Sequence, residues 1–87
     1  GKYFVLIYLS NEFAYSRVAV VASKKLGNAV QRNRIRRRFR ALFRRNKTLL
    51  HKPLDLIIIP QKEIHEADWK SLEKSYTAVI KSINQRA

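Results

Sequence analysis

The sequence predicts an α/β two-layer sandwich, in which a small sheet packs with helices in the order β-β-α-β-α. Two observations lead to this prediction. The chain has 87 residues and is 46% apolar, which suffices for one compact core and makes residues 1–87 a single domain. Along the chain, three short apolar runs of strand length are interspersed with two longer segments whose apolar residues have helical spacing.

Three runs rich in β-branched and aromatic residues predict the strands. They span residues 3–9, 17–23 and 54–59, and the third stops before Pro60, which cannot donate to a strand ladder. Because a short polar loop separates the first two runs, we expect an antiparallel hairpin. The runs are nearly continuous in apolar residues, a pattern typical of strands covered on both faces, so helices or a bound partner should lie over them.

Two helices follow from apolar residues at helical spacing. The first spans residues 29–45, and Gly27 and Asn28 before it supply a turn and an N-cap. Its apolar face consists of Ile35, Phe39, Leu42 and Phe43. The second helix starts near Asp68, a good N-cap. Its apolar stripe, which we interpret as core, consists of Trp69, Leu72, Tyr76, Val79, Ile80 and Ile83.

The positive charge is concentrated in the middle of the chain. Nineteen Lys and Arg residues against six Asp and Glu residues give a net charge of +13. Residues 13–54 contain thirteen basic residues and no acidic residue, whereas the charges of the flanking segments cancel. A segment that repels itself this strongly implies a polyanionic partner, and nucleic acid is the leading candidate.

The first helix presents this charge on one side. All eight of its basic residues are arginine, whose planar guanidinium group pairs with phosphate and stacks on bases. At about 100° per residue, the arc opposite the apolar face contains Asn33, Arg36, Arg37, Arg40, Arg44 and Lys47. The flank of this arc contains Arg34, Arg38 and Arg45. The patch extends onto the start of the helix through Lys24, Lys25 and Arg32. A fixed array of this kind suits structured RNA.

The residues do not indicate a protein catalyst. His51 and His65 are isolated and are interpreted as surface histidines. Glu63, Glu66 and Asp68 are close enough in sequence for a metal cluster, but acids at the start of the second helix explain them better. Two other binding classes stay open. One is a structural RNA-binding protein such as a ribosomal protein, and the other is a module on anionic membrane surfaces, motivated by the amphipathic basic helix.

Residues 23–37 carry the most specific signal in the chain. Their sequence, SKKLGNAVQRNRIRR, closely resembles the signature of the bacterial ribonuclease P protein subunit, which has Ser-Lys-Lys, then Gly-Asn-Ala-Val, then Arg-Asn-Arg followed by basic residues. Residues 4–6 and 55–59 resemble the first and last strands of that family. The order of elements agrees as well, so the resemblance covers nearly the whole chain.

The resemblance implies a function and a partner. Members of the family bind a large catalytic RNA, the ribonuclease P RNA, which removes the 5′ leader from precursor tRNA. The RNA performs the chemistry and requires Mg²⁺. The resemblance further implies a left-handed β-α-β crossover and a cytoplasmic location. It also implies that the protein has no catalytic residues and binds no cofactor or metal. Neither membrane contact nor an obligate protein partner is expected. The residues expected to bind RNA are Lys24, Lys25, Asn28, Arg32, Asn33, Arg34, Arg36, Arg37, Arg40 and Arg44.

The sheet of this family also contributes to a cleft for the substrate's leader. The matching positions here are Val5 and Ile7, with Tyr3 as a neighbour on the same face. Family members often have a tyrosine at the position of Ile7, so base stacking is not expected there. The family normally has a further helix before the first strand, whereas this chain enters a strand almost at once. We therefore expect the domain to lack that helix, and with it one wall of the cleft.

Overall fold

The computed structural model describes residues 2–86. Within this part of the chain, the elements are β1 (Phe4–Ser10), β2 (Arg17–Val20), α1 (Ala29–Arg45), β3 (Leu54–Pro60) and α2 (Trp69–Arg86). Their order confirms the predicted α/β class and the succession β-β-α-β-α. Short 3₁₀ turns, which the sequence pattern did not indicate, lie at Lys24–Leu26, Lys47–Leu49 and Lys62–Glu66.

The sheet has the strand order β1-β3-β2. β1 runs antiparallel to β3, and β2 runs parallel to β3. The predicted hairpin between the first two strands is therefore wrong. Adjacent strands are about 4.8 Å apart, so the loop 11–16 is long enough to step over one strand. β3 takes the central position, where both of its edges are paired and every second side chain is buried.

A crossover connects the two parallel strands. Because β2 and β3 point in the same direction, the chain must return along the sheet between them, and α1 makes this return. The β2-α1-β3 unit thus places α1 against the sheet. The left hand that the resemblance implies for this crossover stays a prediction.

Both helices cover the same face of the sheet. Leu54, Leu56 and Ile58 of β3 point to this face and are at most 1% exposed. Val5 and Ile7 of β1 point to the opposite, open face and are 43% and 45% exposed. Among the described residues, the two helices share one side of the sheet, so helices cover one face of the strands and not both. Cover of the open face by a bound partner stays a prediction.

Aromatic packing ties the two helices to β1. The ring of Phe4 meets that of Phe39 in α1 edge to face, with ring centroids 5.2 Å apart, and lies 6.4 Å from the ring of Tyr76 in α2. All three residues are at most 1% exposed. Burial raises the pKa of the Tyr76 phenol to about 12. These contacts centre the core between the helices and the sheet.

The start of α1 depends on three neighbouring residues, Gly27, Asn28 and Gln31. Asn28 is the N-cap, and its side chain accepts a hydrogen bond from the backbone N–H of Gln31 at 2.9 Å. The Gln31 side chain in turn accepts one from the backbone N–H of Asn28 at 2.9 Å, which completes a capping box. Gly27 has φ +126°, and a Cβ there would overlap the Gln31 side chain. Glycine is therefore required at this turn.

The start of α2 is capped by Asp68. Its carboxylate accepts a hydrogen bond from the backbone N–H of Ser71 at 2.7 Å, which lowers the pKa of Asp68 and confirms the predicted cap. Glu63 and Glu66 lie before this cap, in the 3₁₀ turn Lys62–Glu66. Among residues 2–86, no group of three or more acidic or histidine side chains is arranged to hold a metal ion.

Asp55 joins the ends of all three strands. From β2, Arg17 donates two hydrogen bonds to its carboxylate, at 2.8 and 2.6 Å. From the loop after β1, the side-chain amide of Asn11 donates a third at 2.9 Å. These donors stabilise the charged carboxylate and lower the pKa of Asp55 to about 2. One carboxylate therefore fixes the loop 11–16 against the start of β3.

Replacement of Gly27 by alanine should lower the free energy of unfolding by about 1–3 kcal/mol, because the new side chain would be held at positive φ and against Gln31. Urea unfolding followed by circular dichroism measures the change. Asn28→Ala, which removes only the cap, is the comparison and should cost about 1 kcal/mol. A Gly27→Ala protein as stable as wild type would show that the left-handed turn is not needed.

The Arg17–Asp55 pair predicts a pH dependence. Because the pKa of Asp55 is lower in the folded protein than its ordinary value of 3.8, the pair's stabilising contribution is present above about pH 4 and is lost as the pH falls towards 2. In Arg17→Gln, the pKa of Asp55 should rise towards 3.8. An NMR titration of the Asp55 carboxyl carbon measures this pKa. An unchanged pKa in the variant would show that Arg17 is not the cause of the lowered pKa.

Candidate nucleic-acid interface

The cationic side of α1 consists of residues that the core leaves outside. On its inner side, Ile35, Phe39 and Leu42 are at most 4% exposed. The helical period then turns a second set outward, which we call the arginine face: Asn33, Arg36, Arg37, Arg40 and Arg44. All five are exposed except the half-buried Arg36. Lys47 of the predicted arc is also exposed but lies past the end of α1, in a 3₁₀ turn.

Asn33 interacts with its neighbour on this face. The Arg36 guanidinium donates a hydrogen bond to the side-chain oxygen of Asn33, with Nη1 and Oδ1 3.0 Å apart. The amide oxygen is thereby occupied, and the guanidinium is held in one orientation. Asn33 therefore offers a partner mainly its N–H donors and acts as a support for Arg36.

Two flanking arginines are used inside the protein. Arg38 donates a hydrogen bond from Nη2 to the backbone oxygen of Ala67 at 2.7 Å, and burial together with the positive charge of Arg34 lowers the pKa of Arg38. Arg45 forms an ion pair with Glu73 of α2, with Nε and Oε2 3.0 Å apart. Arg38 and Arg45 therefore attach α1 to the segment around α2, whereas Arg34 is exposed.

More positive charge surrounds the first turn of α1. Lys24 and Lys25 lie exposed in the preceding 3₁₀ turn, and the half-buried Arg32 donates from Nη1 to the backbone oxygen of Gly27 at 2.8 Å. The first turn of α1 contains no acidic residue. Since the helix dipole is positive at this end, cations here add to an unfavourable potential that an anion would relieve. The predicted RNA contact Asn28 is engaged in the capping box.

Most of these cations have no acidic neighbour. Between residues 2 and 86, the ion pairs are Arg17 with Asp55 and Arg45 with Glu73. Neither pair involves the arginine face or the lysines before α1. An exposed surface with one sign of charge produces a strong positive potential over its whole area. The arrangement is suited to a polyanion with closely spaced phosphates.

The membrane alternative conflicts with this packing. Binding in a membrane interface needs the apolar side of an amphipathic helix to be available, but that side of α1 is buried against the sheet. Within the described residues, neither helix is long and apolar enough to span a bilayer.

The open sheet face contains two of the three predicted cleft residues. Val5 and Ile7 lie on it opposite Ile59 and Ile57 of β3, which are half-buried. Tyr3 precedes β1 and is partly buried against the core cluster, so it contributes less to this face. The face continues at one end to a cavity of about 400 Å³ that Lys25 and Ile59 both line. The apolar face and the cationic start of α1 are thus contiguous.

The loop 11–16 contains an exposed aromatic pair that the sequence pattern did not predict. The rings of Phe13 and Tyr15 are stacked, with centroids 5.6 Å apart and planes at 24°, and the residues are 46% and 56% exposed. The only sequence signal was two aromatic residues, two positions apart, in an otherwise polar loop. An unburied aromatic pair of this kind is unusual in a domain with a complete core.

Comparison with known proteins identifies the family. A family model described as Ribonuclease P matches residues 1–84. A ribonuclease P protein component from Thermotoga maritima is 40% identical over 66 residues, which are 76% of this chain and 56% of that protein. One from Streptococcus agalactiae is 42% identical over 81 residues, which are 93% of this chain and 73% of that protein. The chain thus spans little more than half the length of the Thermotoga relative.

Solved structures agree with these matches. The ribonuclease P protein from Thermotoga maritima superposes with a TM-score of 0.86 and 32% identity, over 94% of this chain and 78% of that one. The Staphylococcus aureus protein gives a TM-score of 0.84 and 31% identity, over 95% and 76% of the two chains. With the sequence signature, the fold and the cationic helix in agreement, the chain belongs to the ribonuclease P protein family.

Proposed function

We propose that this chain is the protein component of a ribonuclease P, which binds the catalytic RNA and assists it in removing the 5′ leader of precursor tRNA. The observation that carries the proposal is the arginine face, a set of outward side chains on a helix whose other side is fixed in the core. Family membership supports the same conclusion. The activity belongs to the ribonucleoprotein, in which the RNA breaks the bond.

A rigid cationic helix is suited to folded RNA. In RNA, phosphates are held at defined positions by the fold, so arginine side chains that extend from a packed helix can reach several of them without the backbone having to order first. The lysines of Lys24–Leu26 and the dipole of α1 extend this array at one end. The protein would assist catalysis by neutralising phosphates and thereby favouring the folded RNA.

We assign the Mg²⁺ requirement to the RNA. The cations around α1 repel a divalent metal ion, whereas folded RNA concentrates such ions among its phosphates. The protein would then lower the Mg²⁺ concentration that the RNA needs, since arginine side chains replace part of the counterion charge.

The open sheet face is the proposed site of the precursor's leader. It combines exposed apolar side chains, Val5 and Ile7, with a cavity at which Lys25 meets the sheet. An unpaired strand could place its bases on the apolar floor and its phosphates towards the lysine. The continuity between this face and the start of α1 would allow one RNA strand to contact both surfaces.

Removal of two charges from the arginine face should weaken RNA binding in a salt-dependent manner. For Arg37→Gln with Arg40→Gln, the slope of log K against log salt should become shallower by up to about 2, because each phosphate contact contributes about 0.9 on duplex and about 0.7 on single strands. Filter binding to the catalytic RNA at several salt concentrations measures the slope. Lys70→Gln with Lys74→Gln, which removes two exposed charges from α2, is the matched control and should leave the slope nearly unchanged.

Reconstitution tests the activity directly. Adding this protein to its RNA should lower the Mg²⁺ concentration at which a precursor tRNA is cleaved at half the maximal rate. The Arg37→Gln/Arg40→Gln variant should require more Mg²⁺ than wild type, and excess Mg²⁺ should restore cleavage because the RNA carries out the reaction. The proposal fails if wild-type protein leaves the Mg²⁺ dependence of the RNA unaltered.

A further inference from the structure

The aromatic pair Phe13–Tyr15 is held in place although it is exposed. Asn11 folds the loop around it, since the Asn11 side-chain oxygen accepts a hydrogen bond from the backbone N–H of Phe13 at 2.9 Å. The side-chain amide of Asn11 donates to the backbone oxygen of Tyr15 at 3.3 Å and to Asp55 at 2.9 Å. Both rings are therefore fixed to the sheet through a hydrogen-bonded loop, without being used by the core.

Arg17 connects this pair to the open sheet face. Its guanidinium lies over the ring of Phe13, 4.4 Å from the centroid, and the same group donates a hydrogen bond to Asp55. Arg17 also lines a cavity of about 320 Å³ on the sheet, together with Leu9 and Ile57. The apolar floor that begins at Val5 therefore runs along β1 to Leu9 and reaches Phe13 through Arg17, whose charge is paired with Asp55.

A basic cleft lies on the other side of Tyr15. This cleft has a volume of about 410 Å³ and is lined by Tyr15 together with Lys47, His51 and Lys52. Both lysines are exposed. Of the acidic residues at this end of the sheet, Asp55 is paired with Arg17, and Glu12 is exposed beside Phe13. The lining of the cleft itself contains no acidic residue, so the cleft is positive.

We infer that the Phe13–Tyr15 pair is a stacking platform for an unpaired nucleotide of the leader, in which the base contacts Tyr15, Phe13 supports Tyr15 from behind, and Lys47 and Lys52 contact the adjoining phosphates. This inference rests on the proposed position of the leader on the open sheet face. It adds a second contact at the far end of that face from Lys25, so that distal leader nucleotides, and not only those near the cleavage site, bind the protein. Base identity matters little at such a platform, because every base has a stacking face.

The observations favour an RNA strand over a protein partner. Proteins bind single-stranded nucleic acid through two elements, exposed aromatic rings and a groove of basic side chains, and both are present here side by side. The rings are held rigid, which reduces the entropy lost when a base stacks on them. A duplex would not fit the same arrangement, since its bases are stacked on each other and not available to the rings.

The test uses the ribonucleoprotein reconstituted from the full chain and its RNA. Precursor tRNAs whose leaders are lengthened one nucleotide at a time are titrated against it, and 2-aminopurine is placed at successive leader positions because stacking quenches its fluorescence. For wild type, the affinity should increase at one leader length, and the fluorescence of 2-aminopurine at that position should be quenched on binding.

Variants separate the rings from the charges. Phe13→Leu with Tyr15→Leu keeps apolar bulk but removes both stacking surfaces, so it should bind the long-leader precursor at least about fivefold more weakly and lose the quenching. Its affinity for the catalytic RNA and for a short-leader precursor should equal that of wild type. Tyr15→Phe keeps both rings and should bind like wild type.

The charge variant Lys47→Gln with Lys52→Gln should also weaken binding of the long leader, whereas Lys70→Gln with Lys74→Gln should not. Urea unfolding of each variant reports on folding. If the double leucine variant is destabilised, the single variant Tyr15→Leu is tested instead, and the quenching of 2-aminopurine is measured at saturating protein concentration.

Two results would overturn the inference. Unchanged long-leader affinity and quenching in the leucine variants would show that no nucleotide stacks on the rings, and that surface would then be assigned to a protein partner. Equal weakening for short and long leaders would show that the rings contact another part of the RNA. In both cases, normal assembly with the catalytic RNA would leave the proposed function intact, whereas failure of wild-type protein to assemble would reject the proposed function itself.

Discussion

The packing of α1 on the sheet determines which side chains of the helix face outward. Phe39 is fully buried and contacts Phe4 edge to face, which fixes the rotation of the helix about its own axis. Because successive residues are about 100° apart, this rotation decides which arginines point outward. A turn of the helix by one residue would bury guanidinium groups and expose phenylalanine. The hydrophobic core thus specifies the positions of the charges on the opposite side.

Local signals in the sequence were sufficient for the helices but not for the sheet. The start of α1 follows from Gly27, Asn28 and the apolar period, all within one segment, and the structure has the same bounds. Strand pairing is a tertiary property. Nothing within residues 3–23 indicates that β3 lies between the first two strands, since that depends on contacts with Asp55 and Leu54. Similarly, continuous apolar runs did not reveal that only one sheet face is covered.

The same distinction applies to the candidate site. Helical geometry predicts the exposure of Asn33, Arg37, Arg40 and Arg44, whereas Arg36 is half-buried and Lys47 lies past the end of α1. The hydrogen bond from Arg36 to Asn33 depends on side-chain orientation, and that from Arg38 to Ala67 depends on a distant segment. Sequence could therefore not separate arginines that face solvent from those that bond within the protein. The rings of Phe13 and Tyr15 were missed for a related reason. Their loop is held by Asn11 bonded to Asp55, a residue 44 positions away.

Among the described residues, Arg45 is the one arginine of α1 with an acidic partner, and this excess of positive charge also affects the free domain. Like charges that crowd one helix repel each other and lower the stability of the free domain. A polyanion that binds only the native state removes this repulsion and raises the population of folded molecules by mass action. RNA bound as proposed above would supply this stabilisation, whereas copies of the protein without RNA would open more often and expose their backbone to proteases.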